Sequence, residues 1–322
     1  MIGEFELIDL ITAELGDQTR GTWVGLGPGD DAALLMVPVG EQLAVSVDTL
    51  IPDVHFPARA HPELIGYRSL AISASDLAAM GANPLGALVA LVLPRDGSVD
   101  WVRGLARGLA RACADFELPI VGGNLARGSH SISVTVHGSV AAEAALCRTG
   151  AAVGDRVWVS GQLGGAAYAL EGYILHTAAK TAKHALERAT PDSLDGSLAP
   201  YFCPKPRLQL GRYLRGRASA AIDISDGLVA DLGHLCRASQ VAVELHAVAL
   251  PNAPKASLEQ VLFGGDDYEL CFCAPLGAIS DEMAARWQLS EIGQIVASHG
   301  DGDRVSLDGV TLNARGFDHF AN

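Results

Sequence analysis

Apolar and polar residues alternate with different periods along this chain, and the periods divide it into elements. Residues 4–15 carry Phe5, Ile8, Ile11 and Leu15 at helical spacing, which predicts an amphipathic helix. QLAVSVDTL, residues 42–50, alternates instead. Leu43, Val45 and Val47 fall on one face of a strand, Ser46 and Asp48 on the other. PELIGYRSLAISASDLAAMGA, 62–82, reads as a long helix that Gly81 can end. LGALVALVLP, 85–94, is continuously apolar, as a strand buried on both faces is. A helix over 100–116, a strand LPIVGGN (118–124) running into glycines and an alternating strand HSISVTVHGSV (130–140) complete the first half.

The glycine-rich turn RTGAAVGDR, 148–156, is the best boundary, and 322 residues are too many for one average domain. We therefore expect an N-terminal domain over 1–147 and a C-terminal domain over 148–322. The second half predicts a strand RVWVSG (156–161), helices at 164–176 and 226–238, and strands near 241–248 and 268–274. Residues 177–200 are polar, Ala-rich and weakly patterned, either loop or loose helix. Strands and helices mix without a regular βαβ repeat, so each half reads as α+β, a mixed α/β fold.

Composition narrows the function classes. Asp and Glu number 37 against 23 Lys and Arg, a formal charge of −14. That balance argues against nucleic acid as a partner, which needs basic clusters. An acidic protein can still bind phosphates through metal ions. The longest apolar run lies between Pro84 and Pro94, well short of the ~20 residues of a membrane-spanning helix. The start, MIGEFELIDL, lacks the basic stretch and apolar core of a signal peptide. Six scattered cysteines with no CxxC spacing read as reduced thiols, which places the chain in the cytoplasm.

The chemistry is concentrated in aspartates at element ends. Asp30 and Asp31 follow a glycine loop, and Asp48 ends a strand on the face of Ser46. Asp76 lies inside an otherwise apolar helix. Asp223 and Asp226 flank Ser225, and Asp266 and Asp267 follow two glycines. Each has a plainer reading: a solvated turn for Asp30–Asp31, a turn residue for Asp48, a helix cap for Asp226, a hydrogen bond to Ser73 or Ser75 for Asp76. Together they form a set of hard oxygen ligands suited to Mg²⁺, which takes carboxylates and keeps waters and phosphate oxygens. The glycines of GQLGGAA, 161–167, either make a turn or offer N–H groups to an anion at a helix start. VGGN, 121–124, permits close backbone approach. GxxxxGK[ST] and HRD are both absent, so phosphate chemistry here would lean on metal ions and arginine.

The ordered set EFELI, GDDAALL, SVDTL, HF, SDLAAMGA, VGGN, AIDISDGLVADLGHL, GGDDYELCF and RGFDHF resembles the thiamine-monophosphate kinase family from Glu4 to Phe320. SDLAAMGA and SDG also occur in the wider superfamily of aminoimidazole ribonucleotide synthetase and selenophosphate synthetase. The resemblance implies a two-domain fold like that synthetase, an N-terminal sheet paired across a homodimer, and an active site in the cleft between the domains. It implies phosphoryl transfer from ATP to thiamine monophosphate with several Mg²⁺ ions. Carried over by motif, Asp31, Ser46, Val47 through its carbonyl, Asp48, Asp76, Asn124, Asp223 and Asp226 would hold the metal. Gly123, Asn124, Arg148 and Ser225 would touch the nucleotide. His55, Asp266 and Phe317 would line the thiamine monophosphate pocket. Three positions depart from the family: Asn124 and Asp266 stand where Asp and Glu are usual, and Val47 where Thr is usual. A cyclo-ligase-type superfamily enzyme, or a binding protein with reduced turnover, is the alternative reading.

Overall fold

The computed structural model describes residues 3–178, 189–298, 304–313 and 316. The chain divides into two compact units. One comprises Met1–Leu77, Ala82–Ala142 and Ile174–Pro206; the other comprises Ala78–Gly81, Glu143–Tyr173 and Arg207–Asn322.

The first unit begins with α1 (Glu4–Leu15), followed by β1 (Val24–Leu26) and β2 (Leu34–Leu35), which pair antiparallel. Its main sheet holds β3 (Glu41–Leu50), β4 (Asn83–Leu93), β5 (Ile120–Arg127) and β6 (Ser131–Ala141), in the order β3-β6-β4-β5. Between β3 and β4 runs α2 (Pro62–Ala79), and between β4 and β5 runs α3 (Val99–Phe116). The β4 and β5 strands are parallel, with α3 as the crossover; the other two pairings are antiparallel. The α3 helix starts where the Ser98 side chain accepts from Trp101 N–H at 3.2 Å, and it buries Val102, Leu105, Leu109, Ala112 and Phe116. The α2 helix is covered nearly all round, and Arg68, Ser69, Ser73 and Ser75 are buried with its apolar residues. The chain returns to this unit through α4 (Gly165–Ala178) and the short α5 (Ala199–Phe202), whose Tyr201 and Phe202 are buried. Of the weakly patterned 177–200, residues 179–188 lie outside the described residues; 189–198 are turns and irregular chain.

One expectation changes here, and one left open is filled in. The β5 strand does not stop at its glycines but continues to Arg127, because β4 pairs with it through Leu93↔Arg127. The alternation in β3 is as expected, and its apolar face is the outer one. Leu43, Val45 and Val47 are 49%, 55% and 60% exposed, while Ser46 and Asp48 are partly covered.

The second unit is built on a seven-stranded sheet. Its strands are β7 (Arg156–Ser160), β8 (Ala220–Asp223), β9 (Val241–Leu245), β10 (Leu270–Ala274), β11 (Leu289–Ala297), β12 (Val305–Leu307) and β13 (Val310–Leu312). They lie in the order β13-β12-β9-β11-β7-β10-β8. It holds the first part of α4, to Tyr173, together with α6 (Leu208–Leu214), α7 (Leu228–Ser239), α8 (Leu258–Phe263) and α9 (Asp281–Trp287). Val157, Ile222, Leu228, Leu232, Leu235, Val243, Ile292 and Ile295 form one apolar core between sheet and helices. All five residues of β10 are buried, as its continuous apolar run requires.

Candidate functional site

In the first unit, β3 presents Ser46 and Asp48 toward α2, and α2 presents Asp76 back. The Ser46 hydroxyl donates to Asp76 Oδ2. The bond joins strand to helix; of the two intrahelical serines expected for it, Ser73 donates to the Ser69 carbonyl at 3.2 Å and the Ser75 hydroxyl makes no bond to Asp76. Asp76 is the one position between Ala71 and Ala79 that is not fully buried, so the apolar helix opens at its carboxylate. Burial and then the neighbouring charge of Asp76 push the Asp48 carboxyl up to about 6, while the Ser73 hydroxyl pulls it down. Two like charges in partial burial call for a cation.

A cavity of about 1170 Å³ in the same unit is lined by Gly27–Asp31 and by Gly122–Asn124, with Phe5, Ile8, Leu43 and Leu105 among its apolar walls. Asp30 and Asp31 are exposed on it; Asp31 N–H donates to Asp30 Oδ1 at 2.8 Å. The glycine loops of GDD and VGGN, far apart in sequence, thus face one volume. Val47 points to the opposite face from Ser46 and Asp48, which leaves only its backbone for any ligand on their side. His55 sits in the loop after β3, where its Nδ1 accepts from Ile51 N–H at 3.0 Å.

In the second unit, two loops run side by side at the ends of β8 and β10. Asp266 N–H donates to Ser225 O at 2.8 Å, Tyr268 N–H to Ile224 O at 2.8 Å, and Ile224 N–H to Glu269 O at 2.9 Å. These bonds bring Asp223, Ser225, Asp226 and Asp266 together. Asp266 has φ 69, and its Oδ1 accepts from Tyr268 hydroxyl at 3.1 Å. Arg148 is exposed near His234 of α7; burial, then the charge of Arg237 and then that of Arg148 hold that ring below the usual histidine value. Phe317 lies outside the described residues.

Three features of this unit went unread in the sequence. Asp231, buried in the first turn of α7, accepts from the N–H groups of Ser225 and Asp226, each at 3.0 Å, and so fixes the shape of the SDG loop. Burial, then the charges of Asp223 and Asp226, push its carboxyl up to about 8. Its signal was available: a carboxylate in an apolar helical run, as at Asp76. Asp267 accepts from Gly164 N–H at 2.7 Å and Ala166 N–H at 3.3 Å. The anion at the start of α4 is therefore the chain's own carboxylate. Arg207 forms a two-pronged pair with Glu269, which also accepts from the Ser160 hydroxyl.

Among the described residues, no three His, Cys, Asp or Glu side chains are grouped so as to hold a metal ion unaided. Mg²⁺ does not need three: it commonly takes one or two carboxylates and fills its octahedron with waters and phosphate oxygens. The Asp48–Asp76 pair, two neighbouring carboxylates with the Ser46 hydroxyl beside them, fits that donor set.

Residues 29–140 match the family described as AIR synthase related protein, N-terminal domain. The chain is similar to the thiamine-monophosphate kinase of Escherichia coli (strain K12), 36% identical, with 99% of this chain and 98% of that protein covered. It is similar to the Aquifex aeolicus enzyme of that name at 32% identity, with the same coverage. Among solved structures, thiamine-monophosphate kinase from Stenotrophomonas maltophilia K279a gives a TM-score of 0.81 at 37% identity, covering 97% of this chain and 98% of that one. AaThiL complexed with AMPPCP and TMP gives 0.76 at 32% identity, covering 99% and 97%.

Proposed function

The chain belongs to the thiamine-monophosphate kinase family, and on that premise we propose that it transfers the terminal phosphoryl group of ATP to thiamine monophosphate, giving thiamine diphosphate. The observation that carries this reading is a likeness to kinases of that name along nearly the whole chain, joined to two groups of carboxylates at the ends of strands.

The acceptor is a phosphate oxygen, already anionic near neutral pH, so it needs little from a general base. It needs relief from the repulsion between two polyanions, and in-line placement. Asp31, Ser46, Asp48, Asp76, Asn124, Asp223, Asp226 and the carbonyl of Val47 would hold Mg²⁺. When bound, Mg²⁺ neutralises charge on the phosphates and orients them. Gly123, Asn124, Arg148 and Ser225 bind the nucleotide, with Asp231 holding the Ser225–Asp226 backbone in register. His55, Asp266 and Phe317 receive the acceptor, Phe317 offering a π face to the cationic thiazolium. Cys236, Cys271 and Cys273 are buried, and burial raises all three thiols, so none is a ready nucleophile. Transfer is direct, without a phosphoenzyme. The exposed Leu43, Val45 and Val47 support a homodimer in which this face of β3 is covered.

No described helix is long and apolar enough to cross a membrane. The test is ADP release measured over a substrate panel with Mg-ATP. Release with thiamine monophosphate alone is expected. Turnover with a cyclo-ligase substrate instead, or tight binding of both ligands with no ADP, would overturn the reading.

A further inference from the structure

The loop that carries His55 and the segment that returns to the first unit meet at a single oxygen atom. Arg68 Nε–H donates to the His55 carbonyl oxygen at 3.1 Å, and the Tyr201 hydroxyl donates to the same oxygen at 2.9 Å. A carbonyl oxygen has two lone pairs, so these two donors use both. Arg68 Nη1 donates onward to the Tyr201 carbonyl oxygen at 2.6 Å, and its guanidinium carbon stands 4.0 Å from the centre of the Tyr201 ring. Three segments, from residues 55, 68 and 201, are thereby tied at one point.

The cost of this arrangement points to its purpose. Arg68 is 1% exposed and is the largest fully buried side chain described. A guanidinium is unfavourable to bury unless its donors and its face are used, and an aliphatic side chain would fill such a space without that demand. What an aliphatic side chain would not do is fix a backbone carbonyl in place. The loop's internal bonds set its shape: His55 N–H to Ile51 O at 2.9 Å, Asp53 N–H to Phe56 O at 2.7 Å, and Ala58 N–H to Asp53 Oδ1 at 2.9 Å. The bonds from Arg68 and Tyr201 anchor that shape to α2 and α5.

We propose that Arg68 and Tyr201 are positioning residues for the acceptor: they fix the backbone at His55, and through it the ring that receives thiamine monophosphate, without touching the substrate. This rests on the reading of His55 as an acceptor residue. It assigns the return segment around α5 a role in acceptor affinity.

Tyr201→Phe is the discriminating variant, because it keeps the ring over Arg68 and deletes one donor. The KM for thiamine monophosphate rises about fivefold, the loss expected for one neutral hydrogen bond, while kcat and the KM for ATP stay at parental values. Arg68→Lys, which keeps the charge and one donor direction, gives a smaller rise than Arg68→Met. A purely structural role would lower the thermal midpoint and leave the two KM values in their parental ratio. That result in Tyr201→Phe overturns the proposal even if the Arg68 variants fail to fold. Absence of parental turnover on thiamine monophosphate would instead sink the functional reading and this proposal with it; parental turnover with an unchanged acceptor KM in Tyr201→Phe sinks the proposal alone.

Discussion

Adjacent glycines in VGGN should respond very unequally to the same substitution. At Gly123 an added Cβ would overlap the Val89 carbonyl oxygen and stand 2.9 Å from its carbonyl carbon and 3.2 Å from its nitrogen. Those are backbone atoms of the paired strand, in register Val89↔Gly123, and no rotamer change can move them. The methyl group fits only if β5 shifts from β4, which strains the ladder from Leu88↔Gly122 to Ala90↔Asn124. Losing two or three ladder hydrogen bonds at about 1 kcal/mol each, with some strain left, puts Gly123→Ala at about 2–4 kcal/mol of lost stability. For a unit of this size that lowers the thermal midpoint by roughly 5–12 °C. At Gly122 the added Cβ meets one atom, the Leu88 Cδ2 at 3.1 Å, the far end of a flexible side chain. There the smaller entropy of the unfolded alanine chain offsets the contact, and Gly122→Ala stays within about 1 kcal/mol of parent. Thermal unfolding of the two variants beside the parent reads the difference directly. A nucleotide titration reads the consequence, because a displaced β5 carries Asn124 with it along the cavity wall and weakens ATP binding. Equal midpoints for the two variants would refute the claim that strand approach, rather than ligand approach, demands glycine at 123.

Other outcomes follow from the same geometry. Asp48→Asn and Asp76→Asn each cut turnover by about 10- to 100-fold or more while the protein stays folded; parental rates in either would remove that residue from the metal set. Asn124→Asp lowers the free Mg²⁺ needed for half-maximal activity, since a carboxylate adds a Coulomb attraction that the amide lacks; superimposable titrations would make Asn124 a loop-shaping residue. Burial pushes the Asp267 carboxyl up to about 7 despite its two N–H partners. An acid whose folded value lies above its unfolded value of about 4 weakens the fold as pH rises between the two. Asp267→Asn, which keeps an oxygen for the start of α4, should therefore gain on the parent in thermal midpoint from pH 5 to pH 8; a constant difference would show the carboxyl already ionised at pH 5. Light scattering should give about twice the chain mass of 33.5 kDa, and the mass of one chain at micromolar concentration would contradict pairing through β3.

Long elements with one clear period were legible. The α1 helix, α3, β3 and β6 lie close to where their spacing places them, because each buries or displays whole faces. The strands β8, β11, β12 and β13 were not. Three of these are only three or four residues long, and a bulge between Glu291 and Gly293 breaks the alternation of β11. In β3 the period was right and the direction could not be read, since a strand pattern does not say which face meets the protein and which is left open. The aspartates of β3 and α2 stood out as polar residues in apolar surroundings, but their partners did not. That Ser46 rather than Ser75 would serve Asp76 depends on strand–helix packing across 30 residues of sequence. Asp231 went unread although it sits in an apolar helical run, and Asp267 looked like half of a carboxylate pair. Their roles as acceptors for loop and helix N–H groups emerge only when the chain closes on itself.

Phosphorus NMR of the chain incubated with Mg-ATP and thiamine monophosphate tests the central claim most directly. The account predicts that the thiamine monophosphate resonance is replaced by the coupled pair of thiamine diphosphate, with ADP in equal amount and no inorganic phosphate. ADP with inorganic phosphate and an unchanged thiamine monophosphate signal would contradict it.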